Sequence, residues 1–442
     1  MQSLTLPVQK HALMKNAMLK SLGYKYFRTL RINYINVIEF FTRKYAPENL
    51  FAHAALKVYR EKFLAKPQEY FYPNDTENIS RILRKMTRHK FRNFLLVDCL
   101  NICAGDNRDI AQEILGDFCS VRDRKTFRRI FAHFYDDNNE KLPVLSRNLV
   151  KQISLWDSIR NFRNKPTRKI LFTALMSAGK STLINALVGK IITRTQNEAC
   201  TGRIHRIYNK PINDGFVSTL ENNLVNINAN EKQFLDLDSD SSEISVFTFF
   251  DSYRSDNFRF CLIDTPGVNF SASSKHQHIT QNEIKSGDWE LLVYIINAQY
   301  IGTTDELQHL KFVRENVSAN KIIFVLNKLD RYRTDDDNIP ETISKLRANL
   351  EKIGFKSPVI FPVSAYAALL TKLEKITNTK LNDDELDELM LINMKFSKFQ
   401  EYDLSRYNQT ENSQENLDSH ELLQKSGVLN LEKFLTGKDL TL

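Results

Sequence analysis

Along the first 165 residues, apolar positions recur at spacings of three and four. Segments 34–43, 51–64, 79–91 and 108–118 each carry such a stripe, which predicts amphipathic helices. Breaks fall at Ala46-Pro47, Lys66-Pro67, Tyr72-Pro73-Asn74-Asp75, Ala104-Gly105-Asp106 and the polar run 136–141. The period changes near residues 164–168. Short β-rich apolar runs at 169–173, 258–263, 291–296, 321–326 and 358–363 then alternate with helical stretches at 181–188, 305–316 and 340–353. That alternation predicts an α/β domain over 166–442, a mostly parallel sheet with helices on both faces, preceded by an all-α region over 1–165. A polar insertion is expected near 375–420, where 382–388 reads as an acidic loop and 409–416 as disordered by composition.

Charge sharpens this division. Residues 1–165 hold 30 Lys and Arg against 16 Asp and Glu, which leaves 32 against 37 for the remainder of the 442 residues. All of the basic excess therefore lies in the helical region, where it suits an anionic membrane surface, nucleic acid, an acidic partner or plain solvation. No run approaches the ~18 apolar residues of a membrane-spanning helix, and the N-terminus lacks a signal-peptide core. Five cysteines, an odd number, make a poor disulfide framework. The expectation is a cytoplasmic protein, peripheral to a membrane at most.

Chemistry gathers at the ends of the expected strands. After 169–173 come Ala174-Leu175-Met176-Ser177-Ala178-Gly179-Lys180-Ser181-Thr182 and then a helix. This is the strand, loop, Gly-Lys-Ser and helix order of a phosphate-binding loop. Ser177, Ala178, Gly179, Lys180, Ser181 and Thr182 are its nucleotide-binding candidates. Lys180 would meet the β- and γ-phosphates, and Ser181 would offer its hydroxyl to Mg²⁺. Ala174 stands where the motif has its first glycine. The strand 258–263 runs into Asp264-Thr265-Pro266-Gly267, a carboxylate for a Mg²⁺-bound water followed by a glycine N–H for the γ-phosphate. The strand 321–326 runs into Asn327-Lys328-Leu329-Asp330. One carboxylate there accepts from guanine N1–H and the N2 amine together but meets an acceptor on adenine, so the box selects GTP over ATP. Lys328 would lie along the nucleotide and Asn327 would brace the loop. Ser364-Ala365 follows the last strand, with the Ala365 N–H expected at guanine O6. Four boxes in this order predict a GTP-binding domain.

The run 176–187 resembles the phosphate loop of bacterial dynamin-like GTPases. Asn197-Glu198-Ala199-Cys200-Thr201, residues 297–305 and the pairs Ser426-Gly427 and Leu431-Glu432 are similar to segments of the same family. The resemblance implies a Mg²⁺-dependent enzyme that converts GTP to GDP and phosphate, with hydrolysis completed by a G-domain homodimer. By it, Ser177 stabilises transition-state charge, and Thr201 positions water and joins Ser181 and Asp264 around Mg²⁺. Ser177, Lys180 and Thr201 are thus the catalytic candidates. Two positions depart from relatives: Val268 stands where Ras-like enzymes place a glutamine, and Met176 where eukaryotic dynamins have one. For the basic N-terminal region the resemblance leaves a membrane surface or a helical protein partner. The alternative is a soluble GTP-dependent switch that recruits a protein without remodelling membranes. Nucleic acid is disfavoured for want of a binding module. Cys99, Cys103 and Cys119 lack the spacing of a zinc site. His276 and His278 read as polar loop residues, and Arg122, Arg124, Lys125, Arg128 and Arg129 beside Phe127 and Phe131 as a helix docking on the N-terminal core.

Overall fold

The computed structural model describes residues 28–63, 76–85, 89–120, 124–136, 147–193, 203–235, 243–251, 254–268, 274–333, 337–408 and 421–437. The described residues begin with helices α1 (Arg28–Tyr45), α2 (Leu50–Phe63), α3 (Thr76–Lys85) and α4 (His89–Cys99). Next come α5 (Arg108–Cys119), α6 (Arg124–Tyr135) and α7 (Arg147–Arg163). Then follow β1 (Thr167–Ala174), α8 (Lys180–Val188), β2 (Ile204–Asn209) and a hairpin of β3 (Ser218–Glu221) and β4 (Leu224–Asn226). After α9 (Glu231–Leu235) come β5 (Glu243–Thr248), β6 (Arg259–Asp264), α10 (Ser274–Ser286), β7 (Leu291–Asn297) and α11 (Thr304–Asn316). The chain continues with β8 (Ile322–Asn327), α12 (Ile339–Ile353), β9 (Ile360–Pro362) and α13 (Ala365–Lys375). The last described elements are α14 (Asp383–Lys398), α15 (Glu421–Lys425) and α16 (Val428–Thr436).

Two compact units result: Met1–Asn164 with Lys210–Ala229, and Lys165–Asn209 with Asn230–Leu442. The first unit is built around the apolar stripes of its helices. Tyr34, Ile38 and Phe41 of α1, Phe118 of α5, and Phe127, Ile130 and Phe134 of α6 meet in one core. The 3–4 spacing put these residues on one face, and burial of that face holds the helices together. On α6, Arg124, Lys125 and Arg128 are exposed while Phe127 and Phe131 are buried, the pattern of a helix docked on its core. The hairpin turns at Asn222 and Asn223, both in the left-handed region (φ 46° and 64°), which asparagine tolerates. Its Ile227 joins the helical core. Lys210 is buried at its base, where its Nζ donates to Asp214 Oδ2 (2.9 Å) and Ser218 Oγ (2.9 Å). Among the described residues no helix is long and apolar enough to cross a membrane.

In the second unit the strands order β5-β2-β6-β1-β7-β8-β9. From β6 to β9 all pairings are parallel. Only β2 turns against β6, and β5 follows β2 in parallel. The parallel strands β1, β6, β7 and β8 are buried almost throughout, as strands covered on both faces must be. Their carboxyl ends share one edge. Two buried polar clamps close the unit. Arg168 of β1 donates to the carbonyls of Leu435 (3.2 Å) in the last turn of α16 and Gly437 (2.6 Å) just after it, and Lys372 of α13 pairs with Glu432 and donates to the Ala186 carbonyl (2.7 Å) of α8.

Two expectations are corrected. The acidic run 382–388 is the start of α14, not a loop. Asn382 accepts from the Glu385 N–H (2.8 Å) while the Glu385 carboxylate accepts from the Asn382 N–H (2.9 Å), a capping box that also places three carboxylates on the helix N-terminus. His276 and His278 likewise lie on α10. Residues 409–416 and Arg122 lie outside the described residues.

Candidate functional site

The phosphate loop grows out of β1 without a break. Leu175 bridges Val268 in parallel, the Met176 N–H donates to the Val268 carbonyl (3.2 Å), and the Val268 N–H donates to the Ala174 carbonyl (3.1 Å). Ala174 stays in strand geometry with negative φ, so its methyl costs nothing where a glycine was anticipated. The turn itself comes at Ser177 (φ 58°) and Gly179 (φ 87°). A Cβ on Gly179 would lie 2.3 Å from Asn327 Nδ2, so the loop needs glycine there for space as well as conformation. Lys180, Ser181 and Thr182 then form the first turn of α8. Helix N–H groups in a first turn have no intrahelical acceptor, and they make an anion site.

Lys180 and Asp264 form a buried ion pair. Burial pushes the Asp264 carboxyl up, and the adjacent ammonium opposes that shift. The groups expected to meet phosphate and metal therefore neutralise each other here. Asp264 lies opposite Phe172 on one side and His205 on the other. His205 is buried, and burial, with Arg203 and Lys180 nearby, lowers it to about 3, which keeps it neutral. Beyond Asp264, Thr265 Oγ1 donates to the Phe172 carbonyl (2.9 Å) and Thr280 of α10 donates to the Pro266 carbonyl (2.9 Å). Gly267 passes so near the loop that a Cβ would stand 3.1 Å from Met176 Cγ and 3.3 Å from its Cα. Val268 is 1% exposed and paired in the bridge, and its aliphatic side chain has no group that binds water.

At the other end, Asn327 joins three loops. Its Nδ2 donates to the Ala178 carbonyl (2.9 Å), and its Oδ1 accepts from the Ala365 N–H (3.0 Å). Lys328 follows at φ 70°, with its Cε 3.8 Å from the Gly179 Cβ direction. Partial burial and neighbouring Arg331 lower its pKa, against the pull of Asp330. Asp330 is half-buried and accepts from Ser364 Oγ (2.6 Å), which in turn accepts from the Ala367 N–H (3.2 Å) to cap α13. The Ala365 N–H, the donor expected at guanine O6, donates to Asn327, because that asparagine spans the short gap between the two loops.

Residues 170–329 match the family model described as "Dynamin family". That span contains the phosphate loop, the Asp264 box and the Asn327 box. The chain carries a dynamin-type GTPase domain. "Probable transmembrane GTPase FZO-like, chloroplastic" of Arabidopsis thaliana is 32% identical over 127 residues, which are 28% of this chain and 13% of that protein. The chain thus spans a small part of that relative's length. Among solved structures, Toc33 of Arabidopsis thaliana with GDP and Mg²⁺ is 12% identical with a TM-score of 0.31, covering 64% of this chain and 90% of its own. Aquifex aeolicus Era bound to GDP and AlF₄⁻ is 16% identical with a TM-score of 0.28, covering 51% and 56%.

Within the dynamin-type domain, Ser177, Ala178, Gly179, Lys180, Ser181, Thr182, Asp264 and Gly267 lie along one strand edge with Asn327, Lys328, Asp330, Ser364 and Ala365. Thr201 lies outside the described residues. Three supporting residues were given no role in the sequence reading, although Asn185 and Asn297 fall in the family-like runs 176–187 and 297–305. Asn185 Oδ1 accepts from the Ile192 and Thr193 N–H groups (3.0 Å each), and its Nδ2 donates to the Thr193 carbonyl (2.8 Å), pinning the exit from α8. Asn297, ending β7, aims Nδ2 at the Ser177 carbonyl (3.5 Å). Lys395 of α14 donates to the Asp330 carbonyl (2.8 Å) and to that of Tyr332. Asn297 had a signal, a polar residue at a strand end beside two motif strands. Lys395, 65 positions from Asp330, had none.

Proposed function

We propose that the protein hydrolyses GTP to GDP and phosphate in a Mg²⁺-dependent reaction and self-associates through its dynamin-type domain when nucleotide is bound. The observation that carries this reading is Asn327, which ties the guanine box at once to the phosphate loop and to the Ser364 loop, so the recognition elements form one cradle. Ser181, Asp264 and, by resemblance, Thr201 are an all-oxygen donor set, which fits Mg²⁺. When bound, that ion would neutralise charge on the β- and γ-phosphate oxygens. Lys180 leaves Asp264 and turns its ammonium to the phosphates, while the Ser177 and Gly179 turn lays backbone N–H groups around them. Gly267 offers the γ-phosphate a backbone donor. Asp330 accepts from guanine, Lys328 covers the base and Ser364 holds the carboxylate in place.

Buried Val268 supports the dimer reading, since the chain has no glutamine at that position to orient water and a second copy can complete the site. Residues 166–442 are assigned to this chemistry and the basic region 1–165 to an anionic membrane surface or a helical protein partner, in the cytoplasm. The exposed Arg124, Lys125 and Arg128 of α6 favour the former; a soluble switch is the second reading. GTP turnover against protein concentration, with Lys180→Ala as control, tests the first part. Specific activity that rises with concentration supports it, flat activity lost in the control points to an external activator, and equal activity in both proteins removes the assignment. Co-sedimentation of the full chain with anionic and neutral vesicles separates membrane from soluble readings.

A further inference from the structure

Helix α14 is apolar on two sides. Leu389, Ile392 and Phe396 face inward, at 9%, 9% and 1% exposure. A helix that only covers its own domain would carry that single stripe. Yet Leu386, Met390, Leu391 and Met394 stand outward, the last three about two-thirds exposed. Leu386, Met390 and Met394 are spaced by four, so they form a ridge along the helix. Beside it lies a groove of about 430 Å³ whose walls include Leu386, Leu389, Met390, Leu422, Glu374, Lys375 and Glu421. Such a groove takes an apolar side chain, and a ridge of flexible methionines adapts to a partner's shape.

Charge narrows the occupant. Between Asn382 and Leu391 lie five carboxylates and no Lys or Arg. Exposed Asp383 and Asp387 share the face of the ridge, one turn apart. A copy aligned in parallel would set carboxylates against carboxylates, and anionic lipid would be repelled by this acidic half of the helix, Lys395 and Lys398 lying only in its last turn. We infer that the outer face of α14 is a docking site for a basic amphipathic helix of a protein partner, its apolar side chains on the ridge and in the groove and its Lys or Arg against Asp383 and Asp387. The same helix anchors the guanine loop through Lys395. Taking the guanine site as proposed above, docking would alter nucleotide release, and nucleotide would reciprocally alter docking.

The test uses the full chain and two fluorescent 18-residue Leu/Lys peptides of one composition, one with its leucines at helical spacing and one scrambled. Fluorescence anisotropy should show the striped peptide binding at least tenfold more tightly. Met390→Glu with Met394→Glu should remove that preference while leaving the melting temperature and fluorescent-GDP affinity unchanged, because both side chains are exposed. Equal binding of the two peptides, or striped-peptide binding indifferent to the substitutions, overturns the proposal. So does a concentration-dependent dimer in sedimentation, or binding to anionic vesicles, that these substitutions abolish. Striped-peptide binding together with absent fluorescent-GDP binding supports the docking site and removes the nucleotide reading alone.

Discussion

The two ends of the proposed nucleotide cradle are prepared to different degrees. At the guanine end, Asp330, Asn327, Ser364 and Ala367 are already held by hydrogen bonds within the protein. At the phosphate end, Lys180 and Asp264 hold each other. Preformed donors and acceptors lose little entropy on binding, so under the proposed function base recognition is ready in advance. The phosphate end has to exchange one ion pair for another set of contacts, which makes chemistry dependent on the ligand. Selectivity and turnover should therefore respond differently to substitution.

The largest effect is expected from Lys180→Ala, which removes the phosphate ammonium and strands Asp264 without its partner. We expect kcat/KM for GTP to fall by about 10²–10³ or more, measured by phosphate release. A residual rate within threefold of wild type would abolish the distinction between the ends. Next, Asp330→Ala should cut the preference for GTP over ATP by roughly 10²-fold or more. Competition of both nucleotides against fluorescent GDP reads this, and unchanged discrimination would place base selection elsewhere. Gly179→Ala bears on the joint between the ends, since its Cβ would collide with Asn327 at positive φ. It should cost about 1–3 kcal/mol of stability in denaturant unfolding and weaken GDP binding as well. A stable variant with normal binding would show that the two loops are not coupled there.

Smaller effects test the supports. Lys395→Ala releases the Asp330 and Tyr332 carbonyls, and we expect GDP affinity to drop several-fold, roughly 1 kcal/mol, with maximal turnover little changed. The smallest concerns protons. Burial holds His205 at about 3, below its ordinary 6.5. The unfolded chain then binds more protons in that interval, so the contribution is present above about pH 6.5 and lost as pH falls toward 3, at no more than about 1.4 kcal/mol per pH unit. Melting temperature between pH 7 and 5 should decline less steeply in His205→Gln than in wild type. Parallel curves would mean that another group, such as His309, also held low at about 4, governs acid sensitivity.

Legibility in the sequence followed the range of the interaction. The helical stripes, the five strands at 169–173 through 358–363 and the four boxes were readable because periodicity and loop chemistry act within a few residues. Strands β2 and β5 went unread, although β2 is the one that turns against β6. Their alternation is short, and they owe their state to neighbours already in the sheet. The acidic run 382–388 was misread as a loop because its apolar inner positions, Leu389, Ile392 and Phe396, come only after the cap.

By itself, then, the sequence determined an α/β GTPase unit carrying four motif boxes at its strand ends and a basic helical region, since each is written in local spacing and composition. Tertiary structure alone decided that residues 210–229 complete the helical core, that Lys180 rests on Asp264, that Asn327 takes the Ala365 N–H, and that Lys395 reaches back to Asp330. Each joins positions 38 or more residues apart or redistributes a segment between cores. Such contacts depend on which strand edges and helix faces meet after burial of the apolar surface, a choice that no short window of sequence contains.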